Sequence, residues 1–167
     1  MIGHELTHGF DDEGRQFDAQ GNLKDWWTEA DSKKFTEKSQ ILVKQFSNYV
    51  AVDTLHLNGN LTLGENIADL GGLTIAYAAF QKALAKHNPG NIDGLTPEQR
   101  FFMSWAEVWR SSERPEFLSQ MVMTNPHSPS RFRVNGPLSN MPEFYKAFSI
   151  KEGDPMYRPE NERAKIW

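Results

Sequence analysis

The chain has no cysteine, which removes disulfides and a thiol nucleophile from its chemistry. No apolar run approaches the ~18 residues of a membrane span, and nothing after Met1 reads as a signal peptide. Positive charge is not in excess: 18 Lys and Arg stand against 22 Asp and Glu, a net charge of −4 at pH 7. No basic patch for nucleic acid is therefore expected. Repeats and low-complexity segments are also lacking. The 167 residues suffice for one hydrophobic core, and a single domain over residues 1–167 is expected.

What the chain does have is a dense motif at its start, His4-Glu5-Leu6-Thr7-His8. On a helix, residues four apart are separated by roughly 400° of rotation, so both imidazoles lie on one face. That spacing lets His4 and His8 grip one zinc ion, with Glu5 able to reach a water activated there. Such a grouping suits peptide-bond hydrolysis. The plainer alternative is a surface helix that happens to carry two histidines.

Catalytic zinc takes three protein ligands, so a third is needed. Gly64-Glu65-Asn66-Ile67-Ala68-Asp69-Leu70-Gly71-Gly72 is the obvious source. Glu65 and Asp69 are four apart and share a helix face. One carboxylate could complete the metal shell, while the other could hold the free N–H of a ligand histidine. Acidic residues in a first helical turn are favoured by the macrodipole in any case. Asp11 and Asp12, just past the first helix, could orient His8 or bind Arg15; the sequence leaves both open.

These segments together resemble the neprilysin, endothelin-converting enzyme and oligopeptidase O family of zinc metallopeptidases. The resemblance rests on Gly3 to Asp12, Gly64 to Asp69, Asp25-Trp26-Trp27, His56-Leu57-Asn58-Gly59, His127-Ser128-Pro129, Phe132-Arg133 and the terminal Trp167. It implies a mainly α fold with little strand, built on a thermolysin-like HExxH helix plus a GENIAD helix. It also implies that His4, His8 and Glu65 are the zinc ligands and Glu5 the general base. Asp69 is then the partner of a zinc histidine, His127 stabilises the oxyanion, and Arg133 binds a substrate carbonyl. Taken alone, His127 reads as a loop histidine and Arg133 as the exposed side of a short strand. Chemistry is compatible with both implied roles, since an imidazole N–H can face a developing oxyanion and a guanidinium fork suits a fixed carbonyl.

Along the chain, the segment before Asp11 reads as helix, broken by Asp11-Asp12-Glu13-Gly14. Thr28 is expected to cap a helix reaching about Val50, and residues 53–63 read as turns. A long helix is expected from Gly64 to about Lys86. Gly71-Gly72 inside it costs about 1 kcal/mol per glycine relative to alanine. Close approach to the first helix would explain the pair, a kink being the alternative. Thr96 with Pro97 and Gln99 predicts a capped helix carrying an aromatic core stripe of Phe101, Phe102, Trp105, Val108 and Trp109. Helices from Pro115 to about Met123 and from Pro142 to Phe148 follow, with an extended piece at Arg131–Val134 between them. Met103, Met121, Met123 and Met156 are expected in the core. The tail reads as an irregular strap packed by Tyr157 and Trp167.

His4 would stand in the first turn of its helix, and the family's upstream Asn-Ala substrate-binding segment is absent. The expectation is a carboxy-terminal catalytic fragment whose partners are a peptide substrate and a missing N-terminal lobe. Exposed apolar surface would then permit a homodimer. Secreted animal members of the family carry disulfides, and their lack here suits a bacterial origin. The resemblance favours an extracytoplasmic parent, periplasmic or at the cell surface.

Overall fold

A 24-residue helix, α3 (Leu63–Lys86), has its first half sunk in the core and most of its second half facing solvent. The computed structural model describes residues 1–166. In chain order the other elements are α1 (Ile2–Thr7), α2 (Glu29–Ser47), the hairpin β1 (Val50–Val52) and β2 (Leu55–His56), then α4 (Pro97–Val108), α5 (Pro115–Thr124), α6 (Ser130–Leu138) and α7 (Pro142–Phe148). Short 3-10 turns lie at His8–Phe10, Gly14–Gln16 and Glu160–Glu162. The described residues are thus mainly helical, with one small antiparallel sheet, as expected.

Local chemistry sets most boundaries. Thr28 Oγ1 accepts from the Asp31 amide at 3.1 Å, starting α2 with Glu29 and Asp31 against the positive end of its dipole. The buried stripe Phe35, Leu42, Val43 and Phe46 then turns α2 towards α3 and α6. Thr96 and Gln99 form a complete capping box at α4, with Pro97 at the first position. Phe102 is the buried centre of an aromatic cluster with Tyr77, Phe101 and Phe144.

Three expectations are corrected. Helix α2 stops at Ser47, and residues 50–56 form a hairpin whose turn places Asp53 at φ +50°. Arg131–Val134 is not extended but the first half of α6. Four alternating residues are too few to separate a strand from a helix, and the burial of Phe132, Arg133, Gly136 and Pro137 follows the helical period. Pro137 cannot donate to the Arg133 carbonyl four residues back, and Trp105 Nε1 of α4 donates to it instead at 3.2 Å. The core stripe is also narrower than expected: Val108, Met103 and Met123 are exposed, although Phe102 is buried.

The strap from residue 149 lies against α7, with Ala164 and Ile166 buried and Tyr157 beside Tyr145. The expected packing of Trp167 lies outside the described residues.

Gly72 in α3 allows close contact with Gly3 and His4 of α1. A Cβ on Gly72 would stand 2.5 Å from the His4 amide nitrogen, and one on Gly3 would stand 2.9 Å from the Gly72 carbonyl oxygen. The backbones of α1 and α3 therefore touch, which places His4 directly over α3. Neither backbone can yield without moving the helix, so Gly72→Ala is expected to destabilise the protein by about 1–3 kcal/mol. Gly9→Ala, whose Cβ would meet nothing within 4 Å, is the control. Denaturant titration showing equal midpoints for the two variants would contradict the contact.

Candidate metal centre

Helices α1 and α3 cross where His4, His8 and Glu65 face one another. His4 Nε2 lies 3.1 Å from His8 Nε2 and 3.3 Å from Glu65 Oε2, while His8 Nε2 lies 3.4 Å from Glu65 Oε1. Ligand atoms bound at about 2.0–2.1 Å around a tetrahedral zinc stand about 3.3 Å apart. The three donors thus already sit at the edge lengths of such a shell, and they are a nitrogen and oxygen set that zinc accepts.

Each imidazole is held from behind by a carboxylate. His4 Nδ1 lies 2.8 Å from Asp69 Oδ1, and His8 Nδ1 lies 2.6 Å from Asp11 Oδ2. An N–H on each Nδ1 facing a carboxylate leaves the Nε2 lone pairs pointing at the shared centre. Asp11 is fixed in turn by the Glu13 and Gly14 amides, which donate to Oδ1 at 2.9 and 2.7 Å. The open choice for this residue is thereby resolved in favour of His8. Arg15 instead donates to Ser32 and lies over Trp27 and Phe35. Burial pushes the Asp12 carboxyl up, and it joins none of these contacts.

Arg133, buried at 6% exposure, completes the charge balance. Its Nε and Nη2 each approach Asp69 at 2.8 Å, and Nη2 also reaches Glu65 Oε2 at 3.2 Å. The guanidinium lies 4.0 Å from the Trp109 ring centroid. Two carboxylates one helical turn apart are thus buried among two imidazoles and a guanidinium, which offsets the cost of removing them from water.

His127 reaches the same place from the loop between α5 and α6. Its Nε2 lies 3.3 Å from Glu65 Oε1. Its Nδ1 donates to Asn125 Oδ1 at 2.9 Å, and Asn125 Oδ1 also accepts the His127 amide. Sequence reasoning missed Asn125, though an Asn two residues before a functional group is a recognisable turn signal. Trp109 beneath Arg133 carried no such signal, because its neighbours in α4 read as core. The structure therefore gathers His4, His8, Glu65, Asp69, His127 and Arg133. Glu5 alone of the expected residues makes no side-chain contact with this group; it is exposed on α1.

Residues 1–164 match peptidase family M13. The chain belongs to peptidase family M13. Over its full length it is 44% identical to neprilysin-1 of Caenorhabditis elegans and 46% identical to human endothelin-converting enzyme 1, spanning 23% and 22% of those proteins. Zinc metalloprotease Zmp1 of Mycobacterium tuberculosis, solved with an inhibitor, superposes over 99% of the chain at TM-score 0.94 and 43% identity, the match covering 26% of that chain. PepO from Lactobacillus rhamnosis superposes at TM-score 0.86 and 35% identity, covering 99% of this chain and 25% of its own. The chain thus spans about a quarter of its relatives' length.

The same contacts set the protonation of the site. Contacts with Asp69 and then Glu65, opposed by burial, push His4 in the metal-free protein up to about 9. Burial raises the Glu65 carboxyl, but the His4 contact and the charges of His127, Arg133 and His8 outweigh it, so it lies below its usual range. His4's contribution to stability is fully present below pH 6.5, its ordinary value, and is lost as pH rises through about 9. The denaturation midpoint of the metal-free protein should therefore fall between pH 6.5 and 9, and His4→Gln should flatten that fall. An identical fall in both proteins would contradict the assignment.

Proposed function

We propose that this chain carries the zinc side of the catalytic cleft of a metalloendopeptidase that hydrolyses short peptides. The observation that carries the reading is the convergence of His4, His8 and Glu65 at tetrahedral edge distances, with His127 and Arg133 on the same rim. Membership of peptidase family M13 and the resemblance to zinc metalloproteases support it.

In this reading one zinc ion per chain is held by His4, His8 and Glu65. Zinc, when bound, supplies Lewis acidity that polarises a carbonyl and acidifies water. Asp69 and Asp11 hold the His4 and His8 rings in the orientation that frees each Nε2. Glu5 follows the first ligand on α1 with its carboxylate exposed, and takes the proton of the attacking water. It then returns that proton to the departing amine nitrogen. His127, whose Nδ1 proton is committed to Asn125, donates from Nε2 in its imidazolium form to the oxygen that turns negative as the scissile carbonyl becomes tetrahedral. Arg133 is anchored through Nε and Nη2, and Nη1 has no protein partner among the described residues, so it can hold a neighbouring substrate carbonyl. Anchoring of this kind keeps the substrate in register with the attacking group.

A second reading, favoured by the open rim, is that these 167 residues alone bind zinc yet turn over slowly. Ile2, Leu6 and Val108 are 82%, 65% and 62% exposed around α1 and α4, a surface suited to the remainder of a longer peptidase as partner. No helix among the described residues is long and apolar enough to cross a membrane. An extracytoplasmic parent remains the placement that the family resemblance favours.

Two outcomes test these readings. Glu5→Gln should reduce cleavage of a quenched peptide by about 10²- to 10⁴-fold while leaving zinc bound; wild-type turnover would refute the base. The exposed apolar rim should make the isolated chain associate as concentration rises. Light scattering that reports a monomer throughout the millimolar range would contradict this.

A further inference from the structure

His127 and Glu65 come from segments more than sixty residues apart, and their 3.3 Å approach needs something to set it. Glu65 is held by His4, His8 and Arg133, but His127 is half exposed, and among the described residues its one other polar partner is Asn125 in its own loop. The residues that follow each of them are different. Ser128 is fully buried and Asn66 is 1% exposed, and Ser128 Oγ donates to Asn66 Oδ1 at 2.9 Å. The chain of bonds continues to the loop before α3, with Asn66 Nδ2 donating to Thr62 Oγ1 at 2.9 Å and Thr62 Oγ1 donating to the Asn58 carbonyl at 3.2 Å.

The Ser128–Asn66–Thr62 part of this chain is buried and resists displacement, because breaking a bond there strands a desolvated donor or acceptor. It ties the His127 loop to the first turn of α3, one residue beyond the site residue at each end. We infer that Ser128 and Asn66 are positioning residues, and that their buried hydrogen bond fixes the His127 imidazole against the Glu65 carboxylate. The inference rests on the proposed role of His127 for its consequence in turnover, but not for its geometry. Displacement of a donor from the developing oxyanion by a fraction of an ångström weakens it in the transition state more than in the substrate complex. The loss should therefore fall on kcat and leave KM and zinc content largely unchanged.

The test compares Ser128→Ala, His127→Ala and the double variant in the zinc-loaded protein. Ser128→Ala should lower kcat about tenfold in the wild-type background and by less than twofold once His127 is alanine. A loss of stability alone would lower both backgrounds equally, which would overturn the inference. Ser128→Cys, which keeps a weak donor at this position, should recover part of the activity. The geometry is read separately by the imidazole proton resonances. Ser128→Ala should shift or broaden those of His127 while leaving those of His56 and His87 in place. An unmoved His127 resonance would overturn the positioning claim even if the protein cleaves no peptide, whereas a moved resonance without any turnover would leave the geometry standing and count against the peptidase reading.

Discussion

The structure depends on how two carboxylates on one buried helical turn are neutralised. Asp69 is 1% exposed and Glu65 is largely covered, and charges in such surroundings survive only with matched partners. His4 from α1, His8 from the 3-10 turn that follows it, Arg133 from α6 and His127 from the loop before α6 supply them. The partners come from two stretches of chain remote from α3, residues 4–8 and 127–133, so the charge balance and the tertiary fold specify each other. Removing Arg133 would take both guanidinium contacts from the buried Asp69 carboxylate, a penalty larger than the bonds themselves are worth.

The same turn explains the helix packing. Gly3 and Gly72 let α1 and α3 meet backbone to backbone. Glycine's cost in a helix is accepted because only this approach brings His4 Nε2 to 3.3 Å from Glu65. On the far side, Gly136 meets the Phe46 ring, and Gln45 donates to the Gly136 carbonyl at 3.0 Å, seating α6 on α2. The missing amide of Pro137 leaves the Arg133 carbonyl to Trp105, so α4 is pinned behind the guanidinium it also covers through Trp109. Packing and electrostatics thus fix one arginine from three helices.

Much of this was legible in residues with strong local chemistry. Thr28, the Thr96–Gln99 box and the prolines opening α4, α5 and α7 each announce a helix start, because capping needs only neighbours in sequence. The His4–His8 and Glu65–Asp69 spacings disclosed shared faces for the same reason. Sequence could not show that α6 is helical, because Arg131-Phe132-Arg133-Val134 alternates over too short a span. Nor could it show that Arg15 turns to Trp27 and Phe35, which depends on tertiary contact and leaves Asp11 to its local partner His8. Met103, Met123 and Val108 read as core by composition, yet the structure leaves them in solvent. Hydrophobicity permits burial without compelling it.

The central claim is that two imidazoles and one carboxylate close on a single cation. X-ray absorption at the zinc edge tests it most directly, on the loaded protein and on His8→Ala and Glu65→Ala. The account predicts two nitrogen scatterers of imidazole type and one or two oxygens at about 2.0–2.1 Å, with one imidazole lost in His8→Ala and both kept in Glu65→Ala. A wild-type shell without imidazole, or three indistinguishable spectra, would contradict it.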